Sequence, residues 1–126
     1  MTGAPGPGPI RVLIADDQRV VRDGLSMLVA LIEDVEVVGT ACDGAEAVRL
    51  AEALQPDVVL LDLRMPGTDG FEAIPPLRAV APNAEIVVVT VLPAGPETDR
   101  ALALGAHHCL RKADLRAVVE LVGARS

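Results

Sequence analysis

Five polar residues stand where runs of apolar side chains stop. "IRVLIADDQ" ends in Asp16 and Asp17, "DVVLLDLRMPGTDG" carries Asp62 directly after its apolar run, "EIVVVT" closes on Thr90, and "HHCLRKAD" places Lys112 just past a weaker run. Singly, each has an ordinary explanation: an aspartate before a helix is a cap, a strand-end threonine serves a ladder, and a lysine is solvated surface. Together they carry chemistry. Three carboxylates at one point repel strongly unless a cation or a proton relieves them. Magnesium suits such a set, because it prefers octahedral oxygen ligands, keeps several waters and shares one or two carboxylates with a phosphate. A lysine ammonium and a threonine hydroxyl then complete the parts needed to hold a phosphoryl group. The first turn, "ADDQRVV", is anionic and lacks the glycine-rich amides that cradle a preformed nucleotide phosphate. Asp62 is therefore read as a carboxylate that attacks phosphorus itself.

Such residues meet only if the chain delivers them to one edge. Short β-branched runs at 10–15, 35–41, 57–61, 85–90 and 107–111 alternate with helix-period segments at 19–32, 43–55, 70–81, 96–105 and 113–124. The central runs are apolar on both faces, as strands of a parallel sheet must be when helices cover each side. Alternation at this spacing predicts right-handed crossovers and a doubly wound five-stranded parallel α/β sheet. In such sheets ligands bind beyond the carboxyl ends of the strands, where the five polar residues lie. Asp43 is placed to cap the second helix and Gly105 to end the fourth. Pro75 and Pro76 fall inside the third, where proline removes a donor and clashes with the preceding turn, so that helix is expected to kink or restart.

Composition bounds the rest. The chain has 126 residues, 51% of them hydrophobic, enough for one core and one domain, read as 10–122. Residues 1–9 read as a disordered Gly/Pro tail and 123–126 as the start of a linker. A net charge of -7 without basic stripes opposes nucleic-acid binding by this segment. Cys42 and Cys109 lack metal-ligand spacing, and no signal peptide or ~20-residue apolar span appears, so a reduced cytoplasmic protein without membrane attachment is expected.

The motifs "ADDQRVVRDGL", "LLDLRMPGTDG", "VVVTV" and "GAHHCLRKAD", in that order and spacing, resemble the receiver domain of bacterial two-component response regulators over residues 10 to 122. The resemblance is nearest to regulators whose output is a C-terminal LuxR-type helix-turn-helix domain. It implies the flavodoxin-like (CheY-like) strand order 2-1-3-4-5, with helices on both faces. It also implies that Asp62 accepts a phosphoryl group from a sensor histidine kinase, that Asp17, Asp62 and the Arg64 carbonyl bind Mg2+ directly with Asp16 acting through water, and that Thr90 and Lys112 grip the phosphoryl oxygens. A homodimer is among the implied partners. DNA would be reached only through an output domain, which this sequence does not contain; a stand-alone receiver and a piece cut from a longer regulator both fit, the cut piece better.

Three positions depart from the family pattern. Val91 replaces the usual small residue after the threonine and is expected to crowd Asp62 and slow phosphorylation. Cys109 occupies the place of the aromatic ring that moves on activation, and Phe71 is the chain's one aromatic. Ala113 follows Lys112 where many receivers have a cis proline. Cys109 itself reads as a small buried hydrophobe rather than a redox sensor, and adjacent His107 and His108 point to opposite faces of a strand. Arg64, two residues after Asp62, is placed for its guanidinium to tune the acyl phosphate.

The sequence thus predicts a phospho-accepting switch, not a turnover enzyme, acting on a transcriptional output. A phosphorylation-independent binding or dimerisation module is the alternative that Val91 and Cys109 favour. An aspartate-nucleophile phosphohydrolase ranks last, since Arg64 stands where a general acid would be needed.

Overall fold

The computed structural model describes residues 8–124; most of the expected tail, residues 1–7, and the last two residues lie outside that range. Five strands and five helices alternate: β1 (Ile10–Ala15), α1 (Arg19–Ala30), β2 (Val35–Ala41), α2 (Gly44–Leu54), β3 (Val58–Leu61), α3 (Gly70–Val80), β4 (Glu85–Thr90), α4 (Pro96–Leu104), β5 (His108–Arg111) and α5 (Leu115–Gly123). All pairings are parallel and the order is β2-β1-β3-β4-β5, the one the resemblance implies.

The side-chain pattern accounts for the layers. β3 is buried at every residue, as a central strand covered on both sides must be. The edge strands β2 and β5 are only partly buried. Alternate residues point to opposite faces, so Leu13, Val59, Leu61, Ile86 and Val88 pack with α2, α3 and α4, through Ala47, Ala51, Ile74, Leu77 and Ala101. Val12, Ile14, Val58, Leu60, Val87 and Val89 face α1 and α5, through Leu25, Val29, Val118 and Val122.

Caps set where helices begin. Asp43 accepts the Glu46 N–H at 2.8 Å and starts α2, and Asp114 accepts the Ala117 N–H at 3.1 Å and starts α5. Gly105, at φ +123, ends α4 in a conformation that side chains rarely adopt. Two expectations need correction. α1 stops at Ala30 rather than Ile32, because the N–H groups of Leu31 and Ile32 turn back three residues, to Leu28 and Val29. Of the kink or restart expected at Pro75 and Pro76, the restart is not found: one helix, Gly70–Val80, contains both prolines. The two missing donors fall in its second turn, where a capping box anchors the start (Asp69 with Glu72) and buried Ile74 and Leu77 hold the helix to the sheet.

Candidate functional site

Ladder hydrogen bonds continue past the strand ends and carry the polar residues with them. The Asp62 N–H donates to Ala15 O at 2.9 Å, setting Asp62 beside the end of β1, and the Asp16 N–H donates to Ala41 O at 3.0 Å. On the far side the Lys112 N–H donates to Thr90 O at 2.7 Å, fixing lysine to threonine. Register alone thus gathers residues from four separate stretches of sequence.

A Cβ on Gly70 would run into the Asp62 carbonyl oxygen, and would lie 2.6 Å from Leu63 Cα, so the first turn of α3 packs directly on the backbone that carries the acid. Its N–H donates to Leu63 O at 3.0 Å. Only glycine permits that approach.

Asp16 and Asp62 are buried, at 1% and 5% exposure, while Asp17 stands exposed at the rim. One oxygen from each of the three lies within 4.8 Å of the others. Lys112 Nζ sits 2.6 Å from Asp16 Oδ2 and 3.4 Å from Asp62 Oδ2. Asp16 Oδ1 accepts the Gln18 N–H at 2.9 Å. Its Oδ2 is buried against the Lys112 ammonium, at charge-assisted contact distance. Burial pushes the Asp62 carboxyl above the usual range; Lys112 opposes the rise, Asp16 adds to it, and the Arg64 N–H, 3.4 Å from Oδ1, opposes it weakly. Burial works to lower Lys112, but its close contact with Asp16 and the charges of Asp62 and Asp16 outweigh that, and the ammonium is held above its ordinary value.

The three carboxylates, all hard oxygen donors with a single ammonium shared between two of them, are a set that a divalent cation fits. Buried Thr90 accepts the Leu92 N–H on Oγ1 at 3.2 Å, which leaves its hydroxyl proton free to donate. Val91, beside it, is 63% exposed.

An open cleft of about 510 Å³ borders the acids, walled by Asp17, Arg64, Met65, Asp69, Phe71 and Glu97. Of the residues singled out in the sequence, Asp16, Asp17, Asp62, Thr90 and Lys112 come together. Arg64 joins them through its backbone, whereas its guanidinium turns to Glu97 Oε2, 3.4 Å away in the first turn of α4. Neither Glu97 nor the stacking of Arg100 over Phe71, 4.4 Å from the ring centre, follows from the sequence pattern. Cys109 is half-buried with Sγ 3.6 Å from Thr98 O, and burial raises its thiol, in keeping with a packing role. His107 Nδ1 accepts the Ile86 N–H while His108 Nε2 approaches Glu85, so the two imidazoles engage different partners. The Lys112–Ala113 bond is trans.

The family model of the response regulator receiver domain matches residues 12–122. Among curated proteins, the response regulator GacA of Pseudomonas aeruginosa is 40% identical over 114 residues, covering 90% of this chain and 53% of that protein. The chain spans about half the length of the curated relatives it matches. Among solved structures, the signal receiver domain of the putative response regulator NarL from Mycobacterium tuberculosis superposes with TM-score 0.83 at 33% identity, over 92% of this chain and 98% of that one. CheY in a complex with CheX, BeF3 and Mg2+ from Borrelia burgdorferi superposes with TM-score 0.80 at 26% identity, over 90% of each chain. Among the described residues no helix is long and apolar enough to cross a membrane.

Proposed function

This chain belongs to the response regulator receiver domain family of two-component systems, and from that premise we propose that Asp62 is its phosphoacceptor, served by Asp16, Asp17, Thr90 and Lys112. The observation that carries the reading is the sharing of one lysine ammonium between two buried carboxylates, Asp16 and Asp62, with Asp17 at the rim within ligand distance.

A carboxylate oxygen of Asp62 attacks phosphorus; the new P–O bond forms as the bond to the donor breaks, and the leaving group departs with that electron pair. Lys112 supplies fixed positive charge to the arriving oxygens without a rearrangement, because it already reaches Asp62. Thr90 donates a hydrogen bond from its hydroxyl to one of them. Arg64 orients Asp62 through its N–H, and Asp16 fixes Lys112. Mg2+, held by Asp17, Asp62 and the Arg64 carbonyl with Asp16 acting through water, would neutralise the excess of carboxylate charge and the charge of the phosphoryl oxygens. CheY, a 26% identical neighbour, is described with Mg2+ and BeF3, which supports that assignment here.

A sensor histidine kinase is the proposed donor, in the cytoplasm, and the acylated domain then shifts a two-state equilibrium that a transcriptional output reads. LnrK of Bacillus subtilis, 37% identical over 82% of this chain, is a transcriptional regulatory protein, which supports that output; with a net charge of -7, this domain would leave DNA contacts to another. The protein on this reading modifies only itself and turns over no external substrate beyond its phosphodonor.

Intact mass after incubation with acetyl phosphate and Mg2+ tests the proposal. One added phosphoryl mass is expected, absent from Asp62→Asn and from the metal-free control. No adduct, with beryllofluoride also failing to bind, would transfer the reading to a phosphorylation-independent module.

A further inference from the structure

The ion pair between Arg64 and Glu97 plays no part in the chemistry above, yet it joins the phosphoacceptor loop to α4. Arg64 lies two residues after Asp62 and touches it through the backbone, while its guanidinium reaches across the cleft to Glu97 Oε2 at 3.4 Å. Both side chains are more than half exposed, at 64% and 51%, and an exposed pair of this kind holds its partners weakly. A phosphoryl group on Asp62 adds about -2 charge beside the same arginine, against the single charge of Glu97. It also offers planar guanidinium two oxygens to grip.

We propose that Glu97 and the phosphoryl group on Asp62 compete for the Arg64 guanidinium. Glu97 is thus a positioning residue that sets how long the acyl phosphate lasts, and its release is what α4 senses. The inference rests on Asp62 being the phosphoacceptor. While paired with Glu97, Arg64 leaves the phosphoryl oxygens open to water; once displaced onto them, it covers the line of attack. Glu97 loses its partner but remains in the first turn of α4 with Asp99, where the helix dipole favours an acid, so the helix is loosened without being unwound. The route suits a chain in which the β5 residue that touches Thr98 of α4 is Cys109, with a small thiol, and whose one aromatic, Phe71, already lies beneath Arg100 of α4.

The test measures the half-life of the acetyl phosphate adduct by intact mass in the wild type, Glu97→Gln, Glu97→Asp, Arg64→Ala and Arg64→Ala/Glu97→Gln, with hydrogen exchange of residues 96–104 read alongside. Arg64→Ala keeps the backbone carbonyl. Glu97→Gln should lengthen the half-life about two- to fivefold, the span that a weak exposed pair allows. Glu97→Asp should restore the wild-type value, and the double variant should match Arg64→Ala, whose half-life is shortened. Exchange in α4 should rise on phosphorylation of the wild type and be raised already in unphosphorylated Glu97→Gln. An adduct that forms normally with a half-life indifferent to Glu97, or a Glu97→Gln effect that persists without Arg64, overturns this inference alone. Absence of any adduct on the wild type overturns it together with the phosphoacceptor assignment.

Discussion

Replacing Lys112 by methionine keeps the unbranched stem of the side chain and removes the terminal ammonium with its charge. The ammonium is 16% exposed and faces Asp16 and Asp62, at 1% and 5%, so its loss leaves two buried carboxylates opposed with no cation between them. Breaking a buried pair by removing one partner costs about 3–5 kcal/mol. The lower end applies here, because Asp62, whose carboxyl burial has already pushed up, can take a proton and relieve the repulsion. With about 4 °C of Tm lost per kcal/mol in a domain of this size, Lys112→Met should melt roughly 12 °C below the wild type in EDTA. Lysine's contribution is fully present below its ordinary titration range, because its folded value is raised, so neutral pH measures it whole. Two additions make the assay specific. Saturating Mg2+ should recover much of the loss by supplying positive charge to the same carboxylates, and the second substitution Asp16→Asn should recover it without metal. Differential scanning calorimetry of the single and double variants, with and without Mg2+, settles the matter. A fall of less than about 3 °C, or one that neither Mg2+ nor Asp16→Asn diminishes, would refute the charge argument.

Other consequences follow from neighbouring contacts. The folded carboxyl of Asp62 titrates above the unfolded one, so between those values the native state binds more protons; stability should fall as pH rises through that window, and the penalty is complete above it. Urea midpoints across acidic to neutral pH without divalent metal should show this slope, flattened in Asp62→Asn; an equal slope in both proteins would assign it elsewhere. Gly70→Ala drives a methyl into the Asp62 carbonyl and the Leu63 backbone, and should cost about 3 kcal/mol, the upper end of overpacking, while slowing adduct formation; unchanged unfolding and adduct rates would contradict the close approach. Asp69→Ala removes one side of the α3 capping box and should cost about 1 kcal/mol by urea denaturation.

Much of this was legible in the sequence because the informative signals are local. Short continuous apolar runs mark β1, β3 and β4, and a parallel sheet then leaves Asp16, Asp62, Thr90 and Lys112 no other edge to occupy. Asp43 and Gly105 announce helix ends by type alone. Asp69 carried an equally local signal, the Asp-x-x-Glu spacing to Glu72, which the reading of α3 passed over in favour of its prolines. Those prolines do not divide α3 in two, because propensity measures an isolated helix, whereas α3 is held by its cap and by Ile74 and Leu77 against the sheet. The Arg64–Glu97 pair was invisible for a different reason: the partners are 33 residues apart and meet only through the spacing of the β3–α3 loop and α4 across the cleft. No composition or period encodes that distance, and the same holds for Arg100 over Phe71.

The central claim, that Asp62 is the acylated residue, is tested most directly by trapping. Borohydride reduces an aspartyl phosphate to homoserine and leaves free carboxylates untouched, so protein treated with acetyl phosphate and Mg2+, reduced and mapped by peptide mass, records the site in its covalent structure. Homoserine is expected at position 62 alone, and none when Mg2+ is withheld. Homoserine at Asp16 or Asp17, or an unreduced Asp62 in protein that carries the phosphoryl mass, would contradict it.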